Sequence, residues 1–377
     1  MSKRIYLIVA CIIVLTLIFS TSVFAKRKVL IDFDLLKANG NGIDPSQSLG
    51  KDDANYKDYT NHDPKNRTQH MPTLLDYSAV AGSNYTEQET KEMSVSLAPD
   101  NWEVHLNSSA AHVENKRFSY CKEWHTRFVP ILGEIEEKEG ATTANPEGYT
   151  ILGIRIHFPE TPYNCWAIIK PPFDIPAYEN VDVDFKGDKL PPEDQTKPEN
   201  RNSKYDNGYG VIKNVGIIKS IDMRVFGNQF KNSIAVLIKD DNNIVNEYDF
   251  PEYLDYDGWR QITWNNSNYI TDVANRDLFI IPLYPKHTPY IKLYGFRIYR
   301  QGDKAGGDFI TYIKDVYVTY DEAVIERENE PIIHEDAWAI IATRTLEAKQ
   351  REMRRIGQTQ ILRYLEKKKM HKEPEVE

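Results

Sequence analysis

The sequence predicts an all-β protein: an antiparallel β-sandwich of jelly-roll type with a C-terminal helical tail. Three observations carry this. Between Val29 and about Asp321, short segments rich in aromatic and β-branched residues alternate apolar and polar positions, the period of two that a half-buried strand requires. Helical periodicity is nearly absent before residue 330, and no strand–helix–strand alternation marks an α/β fold. Beyond residue 330 the composition turns to Ala, Glu, Lys, Arg, Gln and Leu, the residues that favour helix.

In chain order, residues 1–25 read as a secretory signal peptide. Lys3 and Arg4 form a short basic start, Ile5–Phe19 is almost wholly apolar, and Val23-Phe24-Ala25 is a site of the A-x-A kind. Cleavage is expected between Ala25 and Lys26. An uncleaved N-terminal anchor is the alternative, although the apolar run is short for a bilayer span. No other apolar run is long enough to span, so no stable membrane insertion is expected once the leader is removed. Residues 26–325 then form one sandwich domain, with long polar loops near 39–71 and 188–210.

The strands can be read one by one. In IRIHF, Ile154, Ile156 and Phe158 alternate with Arg155 and His157. In SIDMRVF, Ile221, Met223 and Val225 alternate with Asp222 and Arg224. SIAVLIKD (233–240) is nearly continuous apolar, as a strand buried on both faces would be. Asp240-Asp241-Asn242-Asn243 is turn chemistry, and IVNEYDF returns from it as the second arm of a hairpin. YIKLYGFRIYR (290–300) and FITYIKDVYVTY (309–320) read as a second hairpin across the glycine-rich 301–308. In its second arm, strict alternation places Tyr312, Val316, Val318 and Tyr320 on one face. Phe309, Thr311, Ile313 and Tyr317 fall on the other.

YLDYDGWRQITW (253–264) is the candidate aromatic strand. Regular alternation puts Trp259 with Gln261 and Thr263, and Trp264 with Arg260 and Ile262. The two indoles therefore cannot form one flat stacking platform unless a bulge intervenes.

Residues 326–377 are a charged linker followed by a basic tail, helical from about His334 to Lys369. Trp338, Ile341, Leu346, Met353, Ile356 and Tyr364 make an imperfect apolar stripe, the candidate interaction surface of the tail. Between Arg344 and Lys372 there are ten Lys/Arg and three Glu, whereas the whole chain carries −9. A basic helix on an acidic body suits docking on acidic surfaces, including neighbouring copies of the chain. Packing on its own body, or lying on a membrane surface, are the alternatives.

Loss of the leader removes Cys11 and leaves Cys121 and Cys165. An even pair in an oxidising compartment is expected to form a disulfide, with two buried thiols as the alternative. No catalytic constellation is found: no G-x-S-x-G elbow, no H-E-x-x-H and no P-loop spacing. No metal site and no cofactor are expected, and the acidic balance argues against nucleic acid as a partner.

Several blocks, in order, resemble one family. They are VLIDFD (29–34), SVSLAPDNWEVHLNSSA (94–110), GIRIHFPE (153–160), NCWAIIKPPFDIP (164–176) and the long run Gly210–Asn243, followed by GWRQITWNN, LYGFRIYR and FITYIKDVYVTYD. Together they resemble the spirochaetal flagellar filament outer layer (sheath) protein family, FlaA. The resemblance covers roughly Val29 to Asp321, and the basic tail is not part of it. It implies a non-enzymatic structural subunit of the periplasmic flagellum, exported to the periplasm. The implied partners are a core filament of FlaB-type flagellin, other sheath subunits, and copies or paralogues of itself. The implied role is in filament shape, stiffness and motility. The W-x(4)-W strand and the I-K-D-V-Y-V ending also resemble jelly-roll carbohydrate-binding modules, so a periplasmic carbohydrate-binding protein is the rival reading.

Overall fold

The computed structural model describes residues 25–36, 74–76, 85–86, 94–131, 134–137, 148–160, 164–177, 205–206, 208–275, 281–282, 289–300, 306–326 and 340–370. Residues 1–24 of the expected leader, the polar stretch 39–71 and most of 188–210 lie outside these residues. The first strands are β1 (Lys26–Asp32), β2 (Leu74–Asp76), β3 (Ser94–Ser96), β4 (Glu103–Leu106), β5 (Tyr120–Thr126) and β6 (Phe128–Ile131). Then come β7 (Glu134–Glu137), β8 (Tyr149–Phe158), β9 (Trp166–Lys170), β10 (Val211–Lys213), β11 (Val215–Asn228) and β12 (Ser233–Asp240). The last are β13 (Val245–Tyr253), β14 (Asp257–Asn265), β15 (Ile281–Pro282), β16 (Tyr290–Tyr299), β17 (Gly307–Glu322) and β18 (Ile325–Glu326). Helices α1 (Val113–Phe118) and α2 (Tyr269–Ala274) are short, and α3 (Ile340–Met370) spans 31 residues.

Two antiparallel sheets face each other. Sheet I has the order β14-β11-β17-β8-β5, with β1 also paired to β17. Sheet II has the order β13-β12-β16-β9-β4, with β10 also paired to β16. From β8 onward the main strands visit the sheets in the sequence I, II, I, II, II, I, II, I. That succession, with neighbours β8-β17-β11-β14 and β9-β16-β12-β13, is a jelly roll. β5 and β4 add one strand to the same edge of each sheet.

This topology overturns the second expected hairpin. β16 lies in sheet II between β12 and β9, while β17 lies in sheet I between β11 and β8. Their glycine-rich connection bridges the two sheets rather than turning within one. The first hairpin is present: β12 pairs with β13, and Asn243 takes a left-handed φ of 64° in the turn. There the amide of Ile244 donates to Asp240 Oδ1 at 2.8 Å, which fixes the turn.

The core lies between the sheets. Ile154, Ile156, Ile221, Met223, Val225 and Ile262 enter it from sheet I, and Ile234, Val236, Ile238, Phe296 and Ile298 from sheet II. Ala235 and Leu237 are buried too, so β12 is covered on both faces as its apolar run implies. The turn after β1 pushes Phe33 into this core, edge-on to Trp102 at 5.2 Å. Tyr205, near the end of the expected polar loop, is also a core residue and packs on Phe173 at 6.0 Å.

β17 departs from strict alternation. Arg224 pairs with Asp315 while the next residue, Val225, pairs with Ile313, so Lys314 is an extra residue. The bulge reverses the faces. Phe309, Ile313, Val316, Val318 and Tyr320 all lie in the core. Tyr312 and Tyr317 lie on the outer side, so Tyr312 does not share the face of Val316 as alternation predicts.

The cysteines also differ from expectation. Cys121 on β5 and Cys165 just before β9 are both buried free thiols. Burial pushes both thiols up, holding them protonated and unreactive as small apolar core residues. Alkylation in denaturant without reductant should label both, while native protein should resist the reagent. Labelling of neither in denaturant would restore the disulfide.

The close approach of β16 and β9 is a second testable feature. A Cβ on Gly295 would stand 2.3 Å from the carbonyl oxygen of Ile169. Gly295→Ala should therefore cost about 2–3 kcal/mol in urea unfolding. A loss below about 0.5 kcal/mol would show that the strands are not held this close.

Candidate functional site

The register of sheet I builds a row of side chains on its outer side. Trp259 on β14 pairs with Phe226 on β11, and Phe226 pairs in turn with Tyr312 on β17. Tyr312 pairs with Gly153 on β8. The ring centroids of Trp259 and Tyr312 lie 5.5 and 5.8 Å from that of Phe226. Gly153 leaves room for the Tyr312 ring: a Cβ there would stand 3.0 Å from the Lys122 carbonyl oxygen and 3.3 Å from that ring. Trp124 on β5 pairs with Ile151 on β8 at the far end, and it is 53% exposed. Trp124, His125, Phe226, Asn228, Trp259 and Tyr312 surround a groove of about 530 Å³.

The candidate aromatic strand is therefore split as the alternation predicts. Trp259 turns outward into the groove. Trp264 turns inward, beside Ile262, and packs edge-on to Tyr248 at 4.8 Å. One indole belongs to the packing of the sandwich and the other to its surface. Sequence reasoning missed Trp124, Phe226 and Tyr312, since only the register of five strands and the Lys314 bulge bring them together.

Next to the aromatic row on the same side is a charged belt. Arg224 donates through Nε to Asp315 at 2.8 Å and closes a second bond from Nη2. Asp315 has no exposed surface. Thr263 donates to Asp222 Oδ1 at 2.8 Å, Arg27 lies 3.3 Å from Asp222, and its guanidinium sits over the Tyr317 ring at 4.4 Å. Burial pushes the Asp315 carboxyl up, against the pull of Arg224 and Lys314. Together the Arg224–Asp315 pair and the contacts of Asp222 tie β1, β11, β14 and β17 together, a structural role. Among the described residues no three His, Cys, Asp or Glu are grouped to hold a metal.

The tail helix docks on its own body. Ile356 on α3 is buried in the core cluster, and Gln360 Nε2 and Arg363 Nη1 both donate to the Pro172 carbonyl, at 2.9 and 2.7 Å. One carboxylate clamps the contact: Asp174 meets Arg355 at 3.2 Å, Lys239 at 3.3 Å and Lys292 at 3.1 Å. Of the expected apolar stripe, Ile356 is buried and Tyr364 is half-buried. Ile341, Leu346 and Met353 are carried on α3, and Trp338 lies outside the described residues. Gln360, a polar break in the stripe, turns out to be a buried anchor.

Comparisons with known proteins complete the picture. A family model described as "Flagellar filament outer layer protein Flaa" matches residues 66–329. A flagellar filament outer layer protein of Spirochaeta aurantia is 38% identical over 355 residues, 94% of this chain and 90% of that protein. Its counterpart in Treponema pallidum (strain Nichols) is 37% identical over 308 residues, 80% of this chain and 82% of the relative. Among solved structures, a family 61 carbohydrate-binding module with β-1,4-galactotriose shares 8% identity at a TM-score of 0.23, over 58% of this chain and 88% of that one. A likeness at that score bears on neither fold nor ligand.

The docking of α3 is testable through Asp174. Burial works against its ionisation, yet Lys292 and Lys239 outweigh it and hold the carboxyl below its ordinary range. A carboxyl lowered on folding stabilises above its ordinary value of about 4, and that contribution is lost as the pH falls through the folded value. Protection factors of the α3 amides, corrected for the intrinsic pH dependence of exchange, should therefore fall below about pH 4, and Asp174→Asn should show low protection already at neutral pH. High, pH-independent protection factors in both proteins would remove Asp174 as the clamp.

Proposed function

Because this chain belongs to the family of flagellar filament outer layer proteins, we propose that it is a non-enzymatic structural subunit of the sheath around a periplasmic flagellar filament. The observation that carries the reading is the extent of the family match, which spans both sheets from β2 to β18. The architecture supports it. Buried charges are spent on tying strands together, and no helix among the described residues is long and apolar enough to cross a membrane. In this reading the leader is removed after Ala25, and the exported chain assembles on a flagellin core of FlaB type with other sheath subunits. It contributes there to filament shape, stiffness and motility.

The tail takes a narrower role than its composition suggests. α3 is seated through Ile356 and Gln360, so its inner face is already occupied. Its outer face exposes Arg354 and Lys369. That basic surface, on an otherwise acidic chain, is the part fitted to meet an acidic neighbour in the filament.

Mass spectrometry of purified periplasmic flagella, with whole periplasm beside them, tests the reading. Strong enrichment in the flagella is expected. Arg354→Glu combined with Lys369→Glu should lower the enrichment several-fold without changing the unfolding midpoint. Abundance in free periplasm with none in flagella would overturn the sheath assignment, and unchanged enrichment of the double variant would overturn the role of the helix face.

A further inference from the structure

The aromatic groove lies on the outer side of sheet I, away from the core between the sheets, and its lining is chemically selective. Its volume of about 530 Å³ falls in the range of small-ligand sites, roughly 300–1,000 Å³. None of the ten residues that line it is Lys, Arg, Asp or Glu, in a chain where 27% of residues are charged. The lining offers no lysine, arginine or carboxylate as a counter-charge for a phosphate, a carboxylate or an amine. The floor is aromatic, and the rim carries polar groups on His125, Thr126 and Asn228. His125 lies 3.4 Å from Thr150 Oγ1 and 3.6 Å from Glu123, and Asn228 Nδ2 donates to the Ile310 carbonyl at 3.2 Å. A hydroxyl, which both donates and accepts, can join such groups at their remaining positions.

The ring geometry narrows the choice further. Trp259 and Tyr312 stand at 78° and 81° to the Phe226 ring between them, and Trp124 lies exposed at the far side. Aromatic faces are negative and attract the electropositive C–H edge of a saturated ring. A ligand with one C–H face and a border of hydroxyls satisfies floor and rim together. We propose that this groove binds a neutral, pyranose-containing glycan, stacked on Trp259 and Tyr312 and closed at one end by Trp124. The site goes beyond the sheath role and does not rest on it.

The test is titration of the purified protein with three probe sets, followed by tryptophan fluorescence and calorimetry. The sets are glycans released from purified flagella, N-acetylglucosamine oligomers with cell-wall fragments, and neutral hexose oligosaccharides. Saturable binding to at least one set is expected, and the first two arms separate a protein-borne source from a cell-wall source. Trp259→Ala and Trp124→Ala should each weaken binding about tenfold or more, as loss of an aromatic anchor does. Tyr253→Ala, an exposed aromatic on β13 of the other sheet, should leave it unchanged. Circular dichroism and the unfolding midpoint of each variant confirm that the fold is retained. No saturable response from any set overturns the proposal, as does binding that survives in the Trp124→Ala/Trp259→Ala double variant. A double variant that changes self-association, with no sugar response in the parent, would reassign the groove to contacts between copies. Flagellar enrichment of that variant is read separately, so failure here leaves the sheath reading intact.

Discussion

β17 hydrogen-bonds to β11 along one edge and to β8 and then β1 along the other. Its core-facing side chains lie opposite the strands of sheet II, and its outer side carries both Tyr312 of the groove and Asp315 of the charged belt. The Lys314 bulge lets one strand do both. Without the extra residue, the alternation that buries Val316 and Val318 would also turn Tyr312 into the core and expose Ile313. The bulged residue is anchored as well: the Lys314 ammonium meets Asp32 on β1 and lies 5.2 Å from the Tyr149 ring. Core, belt and groove therefore share one local irregularity.

Much of the sandwich was legible because period-two alternation reports burial directly. Ile154, Ile156 and Phe158, Ile221, Met223 and Val225, and the continuous run of β12 are buried as their patterns imply. What alternation does not report is which strand lies beside which. β16 and β17 look like hairpin arms in sequence because both are amphipathic and the link between them is short and glycine-rich. The same pattern serves a strand pair that crosses between sheets. The bulge was invisible for a similar reason, since a single added residue leaves composition untouched. The paired cysteines misled through compartment chemistry. Two thiols deep in an apolar core are as well explained by packing as by a bridge.

The site shows the same division. The opposite facing of Trp259 and Trp264 follows from spacing alone and is observed. The partners that make Trp259 part of a groove come from strands as far apart in sequence as β5 and β17, and only the fold assembles them. In the tail, basic composition left docking on a neighbour, packing on the body and lying on a membrane surface all open. Ile356, Gln360 and the Asp174 cluster show that one face of the helix is occupied by the chain itself. Ile356 of the expected stripe is buried, but the polar anchor beside it is Gln360, which composition alone would place outside an apolar stripe.

The pairing of β1 with β17 joins Lys26 to Tyr320. The first strand of the sandwich therefore waits for nearly the last before it can be hydrogen-bonded on that edge, and α3 is made later still. Sheet I cannot close while the chain is emerging, and its edges stay open through most of synthesis. A chain of this topology spends that interval as an aggregation-prone β precursor. It depends on whatever holds unpaired strands apart, and its yield is governed as much by how long closure takes as by how stable the closed sandwich is.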